Sequence, residues 1–180
     1  MSLRSLILAL PLLLAACVGQ PDTGAERFPT SRDYPPEVMT RVTFKADGAT
    51  PWRISALATP RATPAPWKIV VVTGTPSWSE YWAPTIAEAG PDREMIVADR
   101  PGFAESEPEA AVTDISAQSD ALAAMLDGPP EQKVILLGQS YGGPIAALMA
   151  ARHPEKVKAL VLVSAFSATA APPSTGSTLQ

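Results

Sequence analysis

The chain has 180 residues, 46% hydrophobic and 18% charged, with a mean hydropathy of +0.09 and a formal charge of −4, values that suit at most one soluble globular domain. Fourteen Lys plus Arg face 18 Asp plus Glu without any basic run, which excludes the phosphate-neutralising surface of a nucleic-acid binder. One Cys and one His exclude an internal disulfide, a cysteine-rich zinc site and a multi-histidine cluster, so chemistry without metal or cofactor is expected.

Residues 1–16 read as a signal peptide. Arg4 supplies a positive start, and Leu6 to Leu14 with Ala15 and Ala16 form an apolar stretch interrupted by Pro11, too short to span a bilayer as a mature helix. The end of that stretch, Leu14-Ala15-Ala16-Cys17, resembles the lipobox of bacterial lipoproteins. The resemblance implies that Cys17 becomes the lipid-modified first residue of the mature protein, anchoring it to a lipid bilayer of the bacterial cell envelope. Val18 follows in place of an acidic residue, which by the same resemblance leans toward the outer membrane in a Gram-negative host. Residues 17–36 carry proline, threonine, serine and glycine without apolar periodicity and read as an extended tether, with the folded domain expected over 37–166.

Two strands are predicted at Val38 to Phe44 and Trp52 to Ala58, antiparallel around the turn signal Asp47-Gly48. The runs Ile69-Val70-Val71-Val72, Met95-Ile96-Val97-Ala98, Val134-Ile135-Leu136-Leu137 and Leu160-Val161-Leu162-Val163 have the continuous apolar character of strands buried on both faces. Helices are predicted between them at Ser79 to Ala89, Asp114 to Leu126 and Tyr141 to Arg152, the second capped by Thr113 or Asp114. Alternation of such strands with helices predicts the α/β class, a doubly wound, mostly parallel sheet. Trp78, Tyr81 and Trp82 are expected to pack the first helix into the core.

Directly after the third of those runs comes Gly138-Gln139-Ser140-Tyr141-Gly142-Gly143, then a helix. So sharp a strand-to-helix turn strains the serine backbone, and Gly138 and Gly142 remove the Cβ atoms that would collide across it. The Ser140 hydroxyl is then presented at the carboxyl end of the sheet, beside a helix amino terminus whose free N–H groups favour an oxyanion. At this composition a chance G-x-S-x-G is expected about 0.05 times in the chain.

The chain resembles the α/β-hydrolases on these and three further segments. Thr73-Gly74-Thr75-Pro76 is similar to their His-Gly-x-Pro oxyanion loop, although Thr73 stands in place of histidine and Ser77 in place of glycine. Asp99-Arg100-Pro101-Gly102-Phe103-Ala104-Glu105-Ser106 is similar to Asp-x-Pro-Gly-Phe-Gly-x-Ser, with Ala104 replacing a glycine, and Arg152-His153-Pro154-Glu155-Lys156-Val157 resembles a His-Pro-Glu-Arg-Val link. The resemblance covers about residues 38–164. It implies Ser140 as nucleophile, the backbone N–H groups of Tyr141 and Thr75 as oxyanion donors, Gly138 and Gly142 as elbow glycines, and a small ester or acyl substrate. Asp99 reads as the cap of its turn.

His153 is the only imidazole, thirteen residues after Ser140. A helix rising about 1.5 Å per residue places it about 15 to 20 Å from the hydroxyl, too far for a general base. By the resemblance it belongs to the structural link, and the triad acid and histidine follow later strands. No Asp, Glu or His occurs after Glu155, and residues 167–180 are a low-complexity tail. The expectation is therefore an α/β-hydrolase truncated after about its sixth strand, with a complementing carboxyl-terminal fragment as a possible partner. Two functions stay open: a lipid-anchored serine hydrolase, or a non-catalytic lipid-anchored binding protein or pseudoenzyme.

Overall fold

The computed structural model describes residues 27–46, 51–90 and 92–165. The signal peptide, Cys17, the Asp47-Gly48 turn and the 167–180 tail lie outside the described residues. Six strands form one sheet: β1 (Thr40–Lys45), β2 (Arg53–Ala58), β3 (Trp67–Val72), β4 (Arg93–Ala98), β5 (Lys133–Gln139) and β6 (Val157–Val163). Their spatial order is β1-β2-β4-β3-β5-β6. β1 pairs antiparallel with β2, and β2 antiparallel with β4, while β4, β3, β5 and β6 run parallel. The fold is the α/β class, a mostly parallel sheet with helices, as the alternating apolar runs predict.

Successive strand residues point to opposite faces, and the β-branched run of β3 uses both. Val70 and Val72 join one buried cluster with Ile54, Leu122, Leu136, Ile145 and Met149. Val71 joins another with Leu57, Ile86, Met95 and Val97. Helices α2 (Ile115–Leu122) and α3 (Gly142–Arg152) cover the first face, and the short α1 (Ala83–Ala87) covers the second. Asp114 caps α2, accepting from the N–H groups of Ser116 and Ala117.

Three expectations need correction. The helix predicted from Ser79 to Ala89 is a 3-10 turn over Ser79–Trp82 followed by the five-residue α1. Pro84 has no N–H to continue an α ladder from Glu80, so the helix restarts around it. Tyr81 is half exposed, not core: its ring stands edge-on to Trp78 at 4.8 Å and tilts against Phe28 at 5.9 Å. The stretch read as tether through Pro36 docks on the domain from its described start. A 3-10 turn, Ser31–Asp33, seats the Ser31 amide and hydroxyl on the Glu80 carboxylate at 2.7 and 2.8 Å. Polar docking of this kind leaves no apolar period to read.

The parallel registers put the site-bearing ends level. Val72 of β3 stands opposite Ala98 of β4 on one side and Gly138 of β5 on the other. Thr73-Gly74-Thr75, Asp99-Arg100 and Gln139-Ser140-Tyr141 therefore leave the sheet side by side at its carboxyl edge, where α/β sheets carry their ligands.

Candidate active site

Ser140 ends β5 with φ +51°, a left-handed backbone that side-chain-bearing residues seldom adopt. The turn is held open to that geometry by its neighbours' missing side chains. A Cβ on Gly142 would be driven into the Val72 carbonyl and lie 2.6 Å from that of Thr73; one on Gly138 would lie 2.8 Å from the Ala146 Cβ and the Gly142 oxygen. Ser140 N–H donates to the Val163 carbonyl at 2.9 Å, and Gly143 N–H to the Ser140 carbonyl at 2.9 Å. Strand β6 and the first turn of α3 thus hold the serine backbone from two sides, leaving its side chain at the helix amino terminus.

Gly74 faces that serine directly: a Cβ there would lie 2.8 Å from the Ser140 Cβ. Its N–H donates to the Gln139 Oε1 at 2.8 Å, and its carbonyl accepts from Ser77 N–H at 3.2 Å and from the Arg100 Nη2 at 3.2 Å. Among the described residues no hydrogen bond is found for the N–H of Thr75 or of Tyr141. Both N–H groups are uncommitted, one on the residue after Ser140 and one on the residue after Gly74, which faces it; uncommitted donors are what an oxyanion requires.

Arg100 lies beneath both donor residues and is completely buried. Its Nη2 also donates to the Thr75 Oγ1 at 2.6 Å and its Nη1 to the Gln118 Oε1 at 2.8 Å. The guanidinium lies 4.1 Å from the Phe103 ring centre and 5.0 Å from that of Tyr141. Burial pulls it down to about 10, opposed by Tyr141, so it remains a cation at neutral pH. Tyr141 is tied in turn through its hydroxyl to the Thr113 carbonyl at 3.1 Å.

Asp99, also fully buried, accepts from the Ser79 N–H and the Arg41 Nη1, both at 2.9 Å. Arg41 further binds Ser55 and Glu80, so the Asp99 carboxylate joins β1 to the 3-10 turn. Ser106 closes the β4 exit turn by donating to the Asp99 carbonyl at 2.6 Å and accepting from the Ser55 N–H at 2.9 Å. His153 caps the far end of α3, its N–H on the Met149 carbonyl at 3.0 Å and its imidazole 3.8 Å from Glu155. It is not brought to Ser140. No group of three His, Cys, Asp or Glu gathers as a metal site among the described residues.

Reading from sequence missed Arg100 and Gln139. Arg100 stands inside its turn motif, and a cation directly after a strand buried on both faces is itself a signal that something polar waits there. Gln139 occupies the variable position of G-x-S-x-G and carries no signal of its own.

A family model described as alpha/beta hydrolase fold matches residues 69–179. A pimeloyl-[acyl-carrier protein] methyl ester esterase of Neisseria meningitidis is 42% identical over 73 residues, which is 41% of this chain and 27% of that enzyme. Lipase LipV of Mycobacterium tuberculosis is 34% identical over 98 residues, 54% of this chain and 37% of the lipase. The chain thus spans about a quarter to a third of the length of these curated relatives. Among solved structures, a membrane phospholipase A described as a bacterial virulence factor superposes with a TM-score of 0.63 at 24% identity, covering 94% of this chain and 55% of that one.

Proposed function

Since the chain belongs to the α/β-hydrolase fold family, we propose that it carries the nucleophile half of a serine hydrolase acting on a small ester, amide or related acyl substrate. The observation that carries this reading is the φ of +51° at Ser140, level with and facing Gly74. Strain of this kind persists where the surroundings over-determine it and clusters at functional sites. In the proposed step the Ser140 oxygen bonds to the substrate carbonyl carbon, and the carbonyl electron pair moves onto its oxygen. Thr75 and Tyr141 N–H groups receive that oxyanion, helped by the amino terminus of α3. The serine proton passes to an imidazole and on to the leaving alcohol or amine as the carbonyl re-forms; water then releases the acyl group by the same route. His153 does not take that role, so the proposal assigns the triad histidine and acid to a portion of the fold beyond these residues or to a complementing carboxyl-terminal fragment. The esterase and lipase relatives favour esters within the acyl class.

The distal position of His153 supports one second reading, a non-catalytic binding protein that uses the same cleft without turnover. A fluorophosphonate probe separates the two. Labelling of the protein expressed from its natural reading frame, lost in Ser140→Ala, is the expected result. Absence of labelling at Ser140, both alone and with the complementing carboxyl-terminal fragment added, favours the binding protein and overturns the hydrolase.

The proposal extends to location. The Leu14-Ala15-Ala16-Cys17 sequence supports cleavage before Cys17, its lipidation, and anchoring in the bacterial envelope, with the outer membrane the expected side in a Gram-negative host. Residues 17–36 would then join the anchor to the domain. Mass spectrometry of protein expressed in a bacterial host should find an acylated Cys17 in the membrane fraction; an unmodified soluble product removes this part.

A further inference from the structure

Oxyanion donors are useful only if their direction is fixed before the charge develops. Thr75 N–H sits on an exposed loop, where among the described residues nothing in the main chain hydrogen-bonds it. The Gly74–Thr75 peptide is trans, the described cis bonds being Thr75–Pro76 and Glu107–Pro108. A planar trans peptide points its C=O and N–H in opposite directions. Whatever seizes the Gly74 carbonyl therefore aims the Thr75 N–H the other way.

Arg100 seizes it. Its Nη2 donates to the Gly74 carbonyl at 3.2 Å and to the Thr75 Oγ1 at 2.6 Å, holding the carbonyl of that peptide and the side chain of the residue that carries its N–H. The Gln139 Oε1 accepts from the Gly74 N–H at 2.8 Å, which ties down the preceding peptide as well. Arg100 is itself fixed: Gln118 takes Nη1 at 2.8 Å, and Gln118 is held on the Val112 carbonyl at 2.9 Å. Phe103 and Tyr141 offer ring faces to the guanidinium. Among the described residues it pairs with no carboxylate and its Nε has no partner.

A buried, unneutralised cation is costly, and packing alone does not explain it: an apolar side chain of similar length would fill the space without the desolvation cost. We propose that Arg100 is a positioning residue for the oxyanion hole, aiming and polarising the Thr75 N–H through the Gly74 carbonyl while bracing the second donor residue, Tyr141, through its ring. A hydrogen bond from a cation draws electron density onto the carbonyl and sharpens the N–H of the same peptide as a donor. The inference rests on Ser140 acting as nucleophile, and adds to that reading a group that touches neither substrate nor serine.

The test uses the protein from its natural reading frame and a fluorophosphonate probe, whose attack by Ser140 also builds negative charge on an oxygen. Labelling rates are compared for wild type, Arg100→Met, Arg100→Lys, Thr75→Val and Ser140→Ala, with melting curves for each. Deleting an oxyanion donor outright costs about 10²–10³ in rate, so a donor still present but unaimed should cost about 10- to 100-fold in Arg100→Met. Arg100→Lys should recover part of that loss. Thr75→Val, on an exposed residue where folding is not at stake, should slow labelling about 3- to 10-fold, on the scale of one hydrogen bond. For a turnover substrate the loss should fall on kcat with KM nearly unchanged, and affinity for a trifluoromethyl ketone should fall in parallel. Wild-type rates in folded Arg100→Met or in Thr75→Val, or a loss confined to KM or to melting temperature, overturn the positioning role and leave the nucleophile standing. Failure of wild type to label at Ser140 overturns both.

Discussion

Two side-chain-bearing residues in functional motifs hold a left-handed backbone: Ser140 with φ +51° and Ala104 with φ +46°. That conformation costs a non-glycine residue roughly 1–2 kcal/mol, while glycine pays roughly 0.5–1 kcal/mol of extra chain entropy on folding. Ala104 is exposed and takes the place of a glycine in the resembled turn, so Ala104→Gly is expected to stabilise by about 0.5–1 kcal/mol, read as a higher urea midpoint. A lower midpoint would show that the methyl group is held by contacts outweighing the strain. Ser140→Gly should also gain about 0.5–1 kcal/mol while abolishing fluorophosphonate labelling. Stability and reactivity would then oppose each other at one residue, as expected where strain serves a site. The sharp turn at Ser140 and its glycines were legible because their constraints are local and written in the backbone: a positive φ and missing Cβ atoms need particular residues at particular spacings. Arg100 and Gln139 were not, because their bonds to Thr75 and Gly74 cross 25 and 65 residues and depend on a strand order that only the folded sheet reveals.

At the level of elements, strands were the easiest to read, since β3, β4 and β5 are continuous apolar runs in a chain otherwise broken by proline. The docked 3-10 turn Ser31–Asp33 was hidden, because what holds it is one carboxylate. Burial pushes Glu80 upward, but the Ser31 amide and hydroxyl and the Arg41 guanidinium outweigh it and leave its carboxyl below the ordinary 4.5. A folded-state value below the unfolded one means stability that is full above pH 4.5 and is lost as pH falls through the lowered value. Glu80→Gln should therefore destabilise by about 1–2 kcal/mol at neutral pH, the scale of hydrogen bonds to a charged acceptor reduced for partial exposure. The gap from wild type should close below pH 4.5, and at neutral pH trypsin should cut faster after Arg32. A gap that persists unchanged into acid would show that Glu80 acts through packing and not through its charge. The same two-step logic explains α1: the pattern from Ser79 to Ala89 predicts one helix, yet Pro84 removes the donor that would join its turns, and a 3-10 turn meets a short α-helix instead.

Across the whole molecule, the two edges of the sheet are built differently. β1 reads Thr40-Arg41-Val42-Thr43-Phe44-Lys45, with polar residues along the strand, whereas β6 reads Val157-Lys158-Ala159-Leu160-Val161-Leu162-Val163. Among the described residues β6 pairs only with β5, and Leu160, Val161, Leu162 and Val163 are 38–50% exposed. A strand apolar on both faces is the pattern of one covered on both faces, and an apolar edge whose one charge, Lys158, lies near its start is a template for pairing with another chain. Full burial of a Leu or Val is worth about 1.5–3 kcal/mol, and about half of that remains to be gained at four positions, or about 3–6 kcal/mol. This is of the same order as the low end of the association cost, about 4 kcal/mol, so the expected behaviour of the 180-residue chain is concentration-dependent self-association and not a fixed oligomer. Sedimentation velocity over roughly 10–100 µM should show the average mass rising with concentration. Val161→Lys places a charge on the edge strand, on the face opposite that of Leu162, and should shift the population to monomer without touching the Ser140 turn. A single monomeric species across that range in the wild-type chain would mean that the β6 edge is already satisfied, and Val161→Lys would then lower the melting temperature in place of the oligomeric state.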